Sequence, residues 1–346
     1  MKPKINLSIP ARIELANSLG AIERYDFAPR TSDGQHERIS MFNADLATES
    51  FFSQPLTDYA VGYTDMADLD KELEFFAPGV EVAHRFEYAQ ADNAEQFLSD
   101  GDGTDDERPS KSDFKSVEYT ESKVNAATVN RGLQIVLDMD KLNGTPNWEE
   151  RYTQKLMKRI KRNQLRRAIL LLGTTATNNA KTWDTTAGKD PDQDVIMDLI
   201  TGADLSGIKA NRIGYSDFAW SKRQLAHRAQ NTAGGFGSAS LTPEQLAGVL
   251  GVEQVLRSNS RYTASANART QILGSLVLMF NASSGVDTED ASNIKRFYSM
   301  GAPEEGGGMY QVYSARISAK RHVIAVGHYE LMKITSTLGI RKFTIS

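Results

Sequence analysis

The stretch 147–173, NWEERYTQKLMKRIKRNQLRRAILLLG, decides the fold. It predicts one helix over 147–172. Asn147 stands where an N-cap is needed, Glu150 three residues on completes a capping-box-like pair, and Gly173 offers a left-handed C-cap. At a rise of ~1.5 Å per residue the rod spans roughly 39 Å, about the width of a small domain. A compact catalytic core has no need of such a rod.

Spacing the residues at about 100° per position shows how the rod is used. Trp148, Tyr152, Leu156 and Ile160 form an apolar stripe in its first half. Leu165, Ala168, Ile169 and Leu172 form a second stripe in its last half, rotated away from the first. One end therefore packs on one partner and the other end on another. Arg151, Lys155, Lys158 and Arg162 line up on a face that the first stripe leaves free. That cationic ribbon is either a solvated or carboxylate-paired face, or a contact for a polyanion or a neighbouring subunit. Glu149 and Glu150 at the start, with Arg166 and Arg167 near the end, complement the helix dipole.

The 346-residue chain is long enough to bury a full core. Its charged fraction of 24% and aromatic fraction of 8% are those of a folded protein and too rich for disorder. Forty basic residues against 44 acidic ones give a net charge of −4, which argues against a dedicated nucleic-acid binder. The sequence has no cysteine, so disulfide frameworks and thiolate metal sites are excluded. The N-terminus, MKPKINLSIPARIELANS, is basic but has no apolar h-region, and no run approaches the ~18 apolar residues of a membrane span.

Outward from the helix, residues 1–79 read as an extended arm punctuated by prolines, with short amphipathic pieces such as 39–46. Alternation over 80–88 predicts a strand, a polar tract at 99–109 follows, and 114–137 predicts one long strand or two. The expectation is a long β-hairpin with an acidic tip, reaching a partner because it has little to bury by itself. After the helix come a Thr/Asn/Gly-rich connection (173–191), a short helix start at 194–201, a strand at 212–216 and a helix at 217–229. The segment 231–238, NTAGGFGS, reads as a loop. Thr242 and Pro243 open a helix over 246–250, and 251–256 reads as a short strand. The apolar run 273–280 reads as a buried strand. Strands at 310–317, 320–326, 329–335 and 340–345 complete an α+β sheet.

Catalytic patterns are missing. Neither Gly234–Gly237 nor Gly306–Gly308 is followed by the Lys-Ser/Thr of a phosphate loop. An EF-hand begun at Asp100 would need glycine where Asp105 stands and glutamate where Lys111 stands. His36, His84, His227, His322 and His328 form no HExxH, and His322 with His328 have no third ligand, so no metal or cofactor is expected. Three S-x-x-K matches, at Ser112, Ser206 and Ser292, lack the partner motifs of a serine nucleophile.

The order of parts, carried by 147–173, by LAGVLGVEQVLRSNSRYTASA (246–266) and by RHVIAVGHYELMKITSTLGIRKFTIS (321–346), resembles the major capsid proteins of tailed bacteriophages, the HK97-like fold. The resemblance covers most of the chain and is weakest over 1–75. It implies an α+β architecture with an N-terminal arm (1–79) and an extended β-hairpin loop lying over the next subunit (80–137). A peripheral domain (138–199 and 292–346) would hold the spine helix 147–172, and an axial domain (200–291) would meet its copies around five- and six-fold axes. It further implies a non-enzymatic virion protein, assembled in the host cytoplasm, whose chief partner is itself, in pentamers and hexamers. Scaffolding, portal and decoration proteins and weakly held double-stranded DNA are the other implied partners, with no membrane. The chain shows no coiled-coil scaffolding prefix, which implies a separate scaffolding protein or a short arm. The alternatives are an encapsulin-like cage within the same fold, and a DNA-binding factor using the basic helix.

Overall fold

The computed structural model describes residues 52–62, 69–90, 107–108, 110, 113–114, 122–142, 146–186, 188–265, 268–283, 292–301 and 308–346. In chain order these form α1 (Gln54–Val61), α2 (Leu69–Phe76), β1 (Gly79–Glu81), β2 (Arg85–Gln90), β3 (Ser122–Ala127) and β4 (Val129–Asp138). Then follow α3 (Met139–Leu142), α4 (Trp148–Thr175), β5 (Thr177–Lys181), α5 (Pro191–Ser206), β6 (Arg212–Ser216) and α6 (Asp217–Ala229). Next are α7 (Ala233–Ala239), α8 (Pro243–Leu250), β7 (Gln254–Ser258), β8 (Arg261–Ser265) and β9 (Ala268–Gln271). The chain closes with β10 (Leu276–Phe280), β11 (Ile294–Ser299), β12 (Tyr310–Ser318), β13 (Arg321–Ile334) and β14 (Arg341–Ile345).

Two five-stranded sheets carry the molecule. The first runs β1-β11-β13-β12, with β4 also paired to β13; the second runs β5-β14-β10-β6-β7. In the first, β13 takes β12 antiparallel through Val312↔Val326 and β4 antiparallel through Ile135↔Ile324, while its last residues pair β11. In the second, β10 is antiparallel to both β14 and β6. The unbroken apolar text of β10 follows from having both faces covered. Val277 and Met279 enter one core cluster, while Leu278 and Phe280 enter another, as a period of two demands.

The helix α4 joins these layers. Leu156 and Ile160, with Trp148 and Tyr152 beside them, pack among Leu56, Leu137, Val312, Ile324 and Val326. Leu165, Ala168, Ile169 and Leu172 pack among Leu73, Phe76, Leu278, Phe280 and Ile294. The two rotated stripes thus enter two separate cores, as the sequence predicts. A third core lies between the second sheet and α5, α6 and α8, around Trp183, Ile213, Trp220 and Phe343.

Polar groups mark the turn-over point between the stripes of α4. Lys161 Nζ donates to Asp70 at 2.7 Å, Gln164 donates to Glu330, and Arg167 donates to Glu330 at 2.7 Å. Glu330 is fully buried on β13, so these donors are what makes its burial tolerable. The joint fixes the height and rotation of the rod against the sheet.

Several expectations are corrected. Asn147 sits in left-handed backbone (φ 52°) and makes no side-chain cap, so the predicted capping box is absent. Gly173 lies inside the helix, which runs on to Thr175 with Ala176 as C-cap; Thr174 and Thr175 turn their hydroxyls back to Leu170 and Leu171 carbonyls. The 231–238 loop contains α7, capped by the Thr232 hydroxyl accepting from Gly235 N at 3.0 Å. A side chain at Gly235 would place Cβ 2.5 Å from the His227 carbonyl, so glycine there permits the turn to pack on α6. The short helix at 194–201 is the longer α5, and the separate strands 320–326 and 329–335 are the single strand β13.

Placement differs too. Leu69, Leu73, Phe75 and Phe76 are buried core residues, so α2 is no loose arm, although 1–51 lie outside the described residues. The strand at 80–88 is two strands, β1 in the first sheet and β2 in the hairpin. The hairpin itself is β2 with β3, from Arg85↔Ala127 to Gln90↔Ser122; β4 is a strand of the first sheet instead. Its acidic tip falls largely outside the described residues. β5 and β14, which the sequence-level division assigns with the peripheral segments, belong to the second sheet.

Candidate functional site

The outward face of α4 and the β8–β9 hairpin enclose a cationic groove of about 740 Å³. Burial of Leu156, Met157, Ile160, Leu165 and Ile169 fixes the rotation of the helix. Arg151, Lys155, Arg159, Arg162, Arg166 and Leu170 are thereby left exposed. Of the predicted ribbon, Arg151, Lys155 and Arg162 stand on this face, and Lys155 and Arg162 line the groove. Lys158 does not. It is half-buried to one side, and Arg159 takes the position the ribbon needs.

Across the groove stands the hairpin, paired from Arg261↔Gln271 to Ser265↔Ala268. It contributes Arg261, Tyr262 and Arg269. Arg166 lies 3.9 Å over the Tyr262 ring, a cation–π contact that ties helix to hairpin. Lys155 Nζ lies 4.4 Å from the Tyr152 ring. Arg261 is neutralised by Asp217, at 3.1 Å, which also accepts from Arg257 Nε at 2.8 Å. The Arg257 hydrogen bond, with those guanidinium charges, holds the Asp217 carboxyl below its ordinary range. Among the described residues no carboxylate is paired with Lys155, Arg159, Arg162, Arg166 or Arg269.

This arrangement carries a cost. Like charges three or four residues apart on a helix face destabilise it by roughly 0.2–0.5 kcal/mol per pair. Lys155–Arg159, Arg159–Arg162 and Arg162–Arg166 each have that spacing. Lys161 and Arg167, by contrast, are spent on Asp70 and Glu330 within the fold. The helix therefore has two kinds of cation, one structural and one aimed outward. Further along, the groove continues into an apolar stretch of about 540 Å³ lined by Ile169, Leu170, Ile272 and Leu276. Asn163, Arg166 and Tyr262 border both parts.

Arg159 was legible from its i+4 spacing to Lys155. Arg261 and Arg269 were not, because only the tertiary fold brings a hairpin about a hundred positions away against the helix.

Among the described residues no cluster of three or more histidines, acids or cysteines could hold a metal ion. One strand does join His322 to His328, but their surroundings differ. His322 meets Ser314, Glu149 and Trp148, whereas His328 is sealed beside Tyr310 and Glu330. Burial pushes His328 down to about 4 and Tyr310 up to about 12. His227 shares Asp192 with Arg223, and all three side chains are buried. Among the described residues no helix is long and apolar enough to cross a membrane.

No protein-family profile matches the sequence, and no curated protein does. Solved structures do. A phage-related protein from Bordetella bronchiseptica RB50 superposes with a TM-score of 0.60 at 16% identity, covering 85% of this chain and 96% of that one. The capsid of Myoviridae phage XM1 gives 0.48 at 13% identity over 82% and 94% of the two chains. The SrpI encapsulin of Synechococcus elongatus PCC 7942 gives 0.46 at 11% identity over 82% and 90%. At such identities likeness establishes architecture: this chain has the α+β fold of the phage-related protein, the HK97-like arrangement that its sequence resembles.

Proposed function

We propose that the protein is the subunit of an icosahedral phage capsid that self-assembles around double-stranded DNA. The observation that carries this reading is α4, a 28-residue rod whose two rotated stripes enter separate cores and whose remaining face is cationic and unsatisfied. Such a rod makes one rigid plate of two sheets and leaves binding capacity at the plate's edge. The HK97-like fold supports the reading, and so does the net charge of −4, which suits a container that must not grip its contents.

In this reading the first sheet with α4 is the peripheral body and the segment 200–291 the axial one. The β2–β3 hairpin leads the extended loop toward the next subunit. Rings of five and six subunits close through heterologous contacts, each modest and repeated. The ribbon of Arg151, Lys155 and Arg162, with Lys158 at its margin, serves subunit contacts first and DNA second. Scaffolding, portal and decoration proteins are the further partners, the virion is the destination, and assembly takes place in the host cytoplasm. No step calls for catalysis.

Negative-stain electron microscopy of the full chain, expressed alone and beside its neighbouring genes, tests this. Uniform hollow shells tens of nanometres across are expected, filled with DNA in the virion. A monomer or dimer that never assembles overturns it, and shells loaded with a protein cargo instead of DNA move the reading to an encapsulin-like cage.

A further inference from the structure

We infer that the groove between α4 and the β8–β9 hairpin binds a nucleoside triphosphate, its phosphates among the arginines and its base on the apolar stretch. The inference goes beyond the shell reading and does not rest on it, because every residue it uses belongs to one subunit. The first part of the groove, about 740 Å³, has the size of a small-molecule site. Lys155, Arg159, Arg162 and Arg166 stand on one wall and Arg269 on the other, none paired with a carboxylate among the described residues. No aspartate or glutamate lines either part of the groove. Cations gathered around one gap repel each other, and a compact ligand carrying several negative charges relieves that repulsion.

Four of those five cations are arginines, whose planar forks take phosphate oxygens two at a time. Asn163, Asn259 and Ser260 add neutral hydrogen-bonding groups beside them. An inorganic polyphosphate would use only this part. The groove runs on into about 540 Å³ lined by Ile169, Leu170, Ile272 and Leu276, with Leu170 65% exposed. Exposed apolar surface continuous with a charged pocket calls for an apolar or aromatic end on the same ligand. Tyr262 borders both parts, where a ribose would pass from phosphate to base. From Arg159 to Leu170 the helix rises roughly 16 Å at ~1.5 Å per residue, comparable with an extended nucleoside triphosphate. The apolar stretch offers the base few polar partners, so it holds purines and pyrimidines alike.

Two other anions fit less well. Duplex DNA is too thick to enter between helix and hairpin, and lying across the rim it leaves the apolar stretch in water. An acidic peptide brings one charge per side chain, whereas a triphosphate concentrates its charges on the span that the arginines enclose.

Titration calorimetry of the full-length chain in magnesium-free buffer at about 0.15 M salt, where exposed charges are screened beyond about 8 Å, tests this. ATP is expected to saturate one site per subunit, at least fivefold tighter than tripolyphosphate and at least tenfold tighter than AMP. GTP and CTP should fall within about threefold of ATP, and the thermal midpoint should rise with ATP concentration. Arg159→Gln with Arg162→Gln should weaken ATP and tripolyphosphate alike by at least tenfold. Leu170→Ser should weaken ATP severalfold and leave tripolyphosphate unchanged. Arg228→Gln, an exposed arginine of α6 that does not line the groove, should change neither. Circular dichroism verifies that each variant is folded.

The inference is overturned if ATP binds no tighter than tripolyphosphate, or if its binding survives the double arginine variant. It is equally overturned by a duplex oligonucleotide or an acidic peptide that occupies the groove and that saturating ATP does not displace. None of these results touches the shell reading, which stands or falls by the particles.

Discussion

Gly214 and His328 show how little room the cores leave. A side chain at Gly214 on β6 would put its Cβ 2.6 Å from Phe76 Cε1, and Phe76 is wholly buried against Phe280, ring centroids 5.9 Å apart. Gly214→Ala is therefore expected to destabilise the subunit by about 1–3 kcal/mol, the usual range for overpacking. Adding Phe76→Leu should return part of that loss, a non-additivity that urea unfolding of the four variants reads directly. If the double variant shows the plain sum of the single losses, the two residues do not share the space. His328 makes a prediction in pH. Burial holds its folded value at about 4 against an ordinary 6.5, with Arg167, Arg131 and Arg296 pushing the same way and Glu330 opposing. Between those values the unfolded chain binds the extra proton, so stability falls as pH drops from about 6.5 to about 4. The loss is on the order of 3 kcal/mol, and the contribution is complete above that window. His322, also lowered by burial, adds to the slope. Denaturation at a series of pH values should therefore show a shallower slope for His328→Gln than for the native chain; an unchanged slope refutes the assignment.

At the scale of the element, α4 behaves as two half-helices in one rod. Leu156→Ala and Leu172→Ala should each cost about 2–5 kcal/mol, since each removes a buried side chain from a tight core. Because Leu156 belongs to one core and Leu172 to another, their losses should add to within about 0.5 kcal/mol. A coupling above about 1 kcal/mol would mean that the cores share strain through the Lys161–Gln164–Arg167 joint. The cap of α7 is a smaller case. Thr232→Ala removes the hydroxyl that accepts from Gly235 N, at an expected cost of about 1 kcal/mol. Much of α4 was legible: the two stripes and most of the exposed face follow from a period of 3.6. Its ends were not. Cap residues depend on the chain's direction on entering and leaving, and that is set by the packing of α3 and β5.

For the whole molecule, the arrangement of charge matters more than its sum. With a net charge of −4 the chain looks like a poor partner for anions, yet α4 and β8–β9 gather Arg159, Arg162, Arg166, Arg261 and Arg269 around one groove. Contacts made through that groove are screened, so assembly should slow as salt rises past about 0.15 M, where the Debye length is about 8 Å. Light scattering of native subunits should record this, and the Arg159→Glu/Arg162→Glu chain should show little residual salt dependence. Equal sensitivity in both would place the decisive charges elsewhere. Sequence by itself determined the rod, its two stripes, most strands, the lack of cysteine chemistry and the order of parts. These are properties of period and composition, which a linear text records fully. Only the tertiary structure decided that α2 belongs to the core, that β14 and β5 complete the second sheet, and that the cationic ribbon has an opposite wall. Each of those depends on which distant segments share a space, and that is fixed by packing rather than by any local pattern.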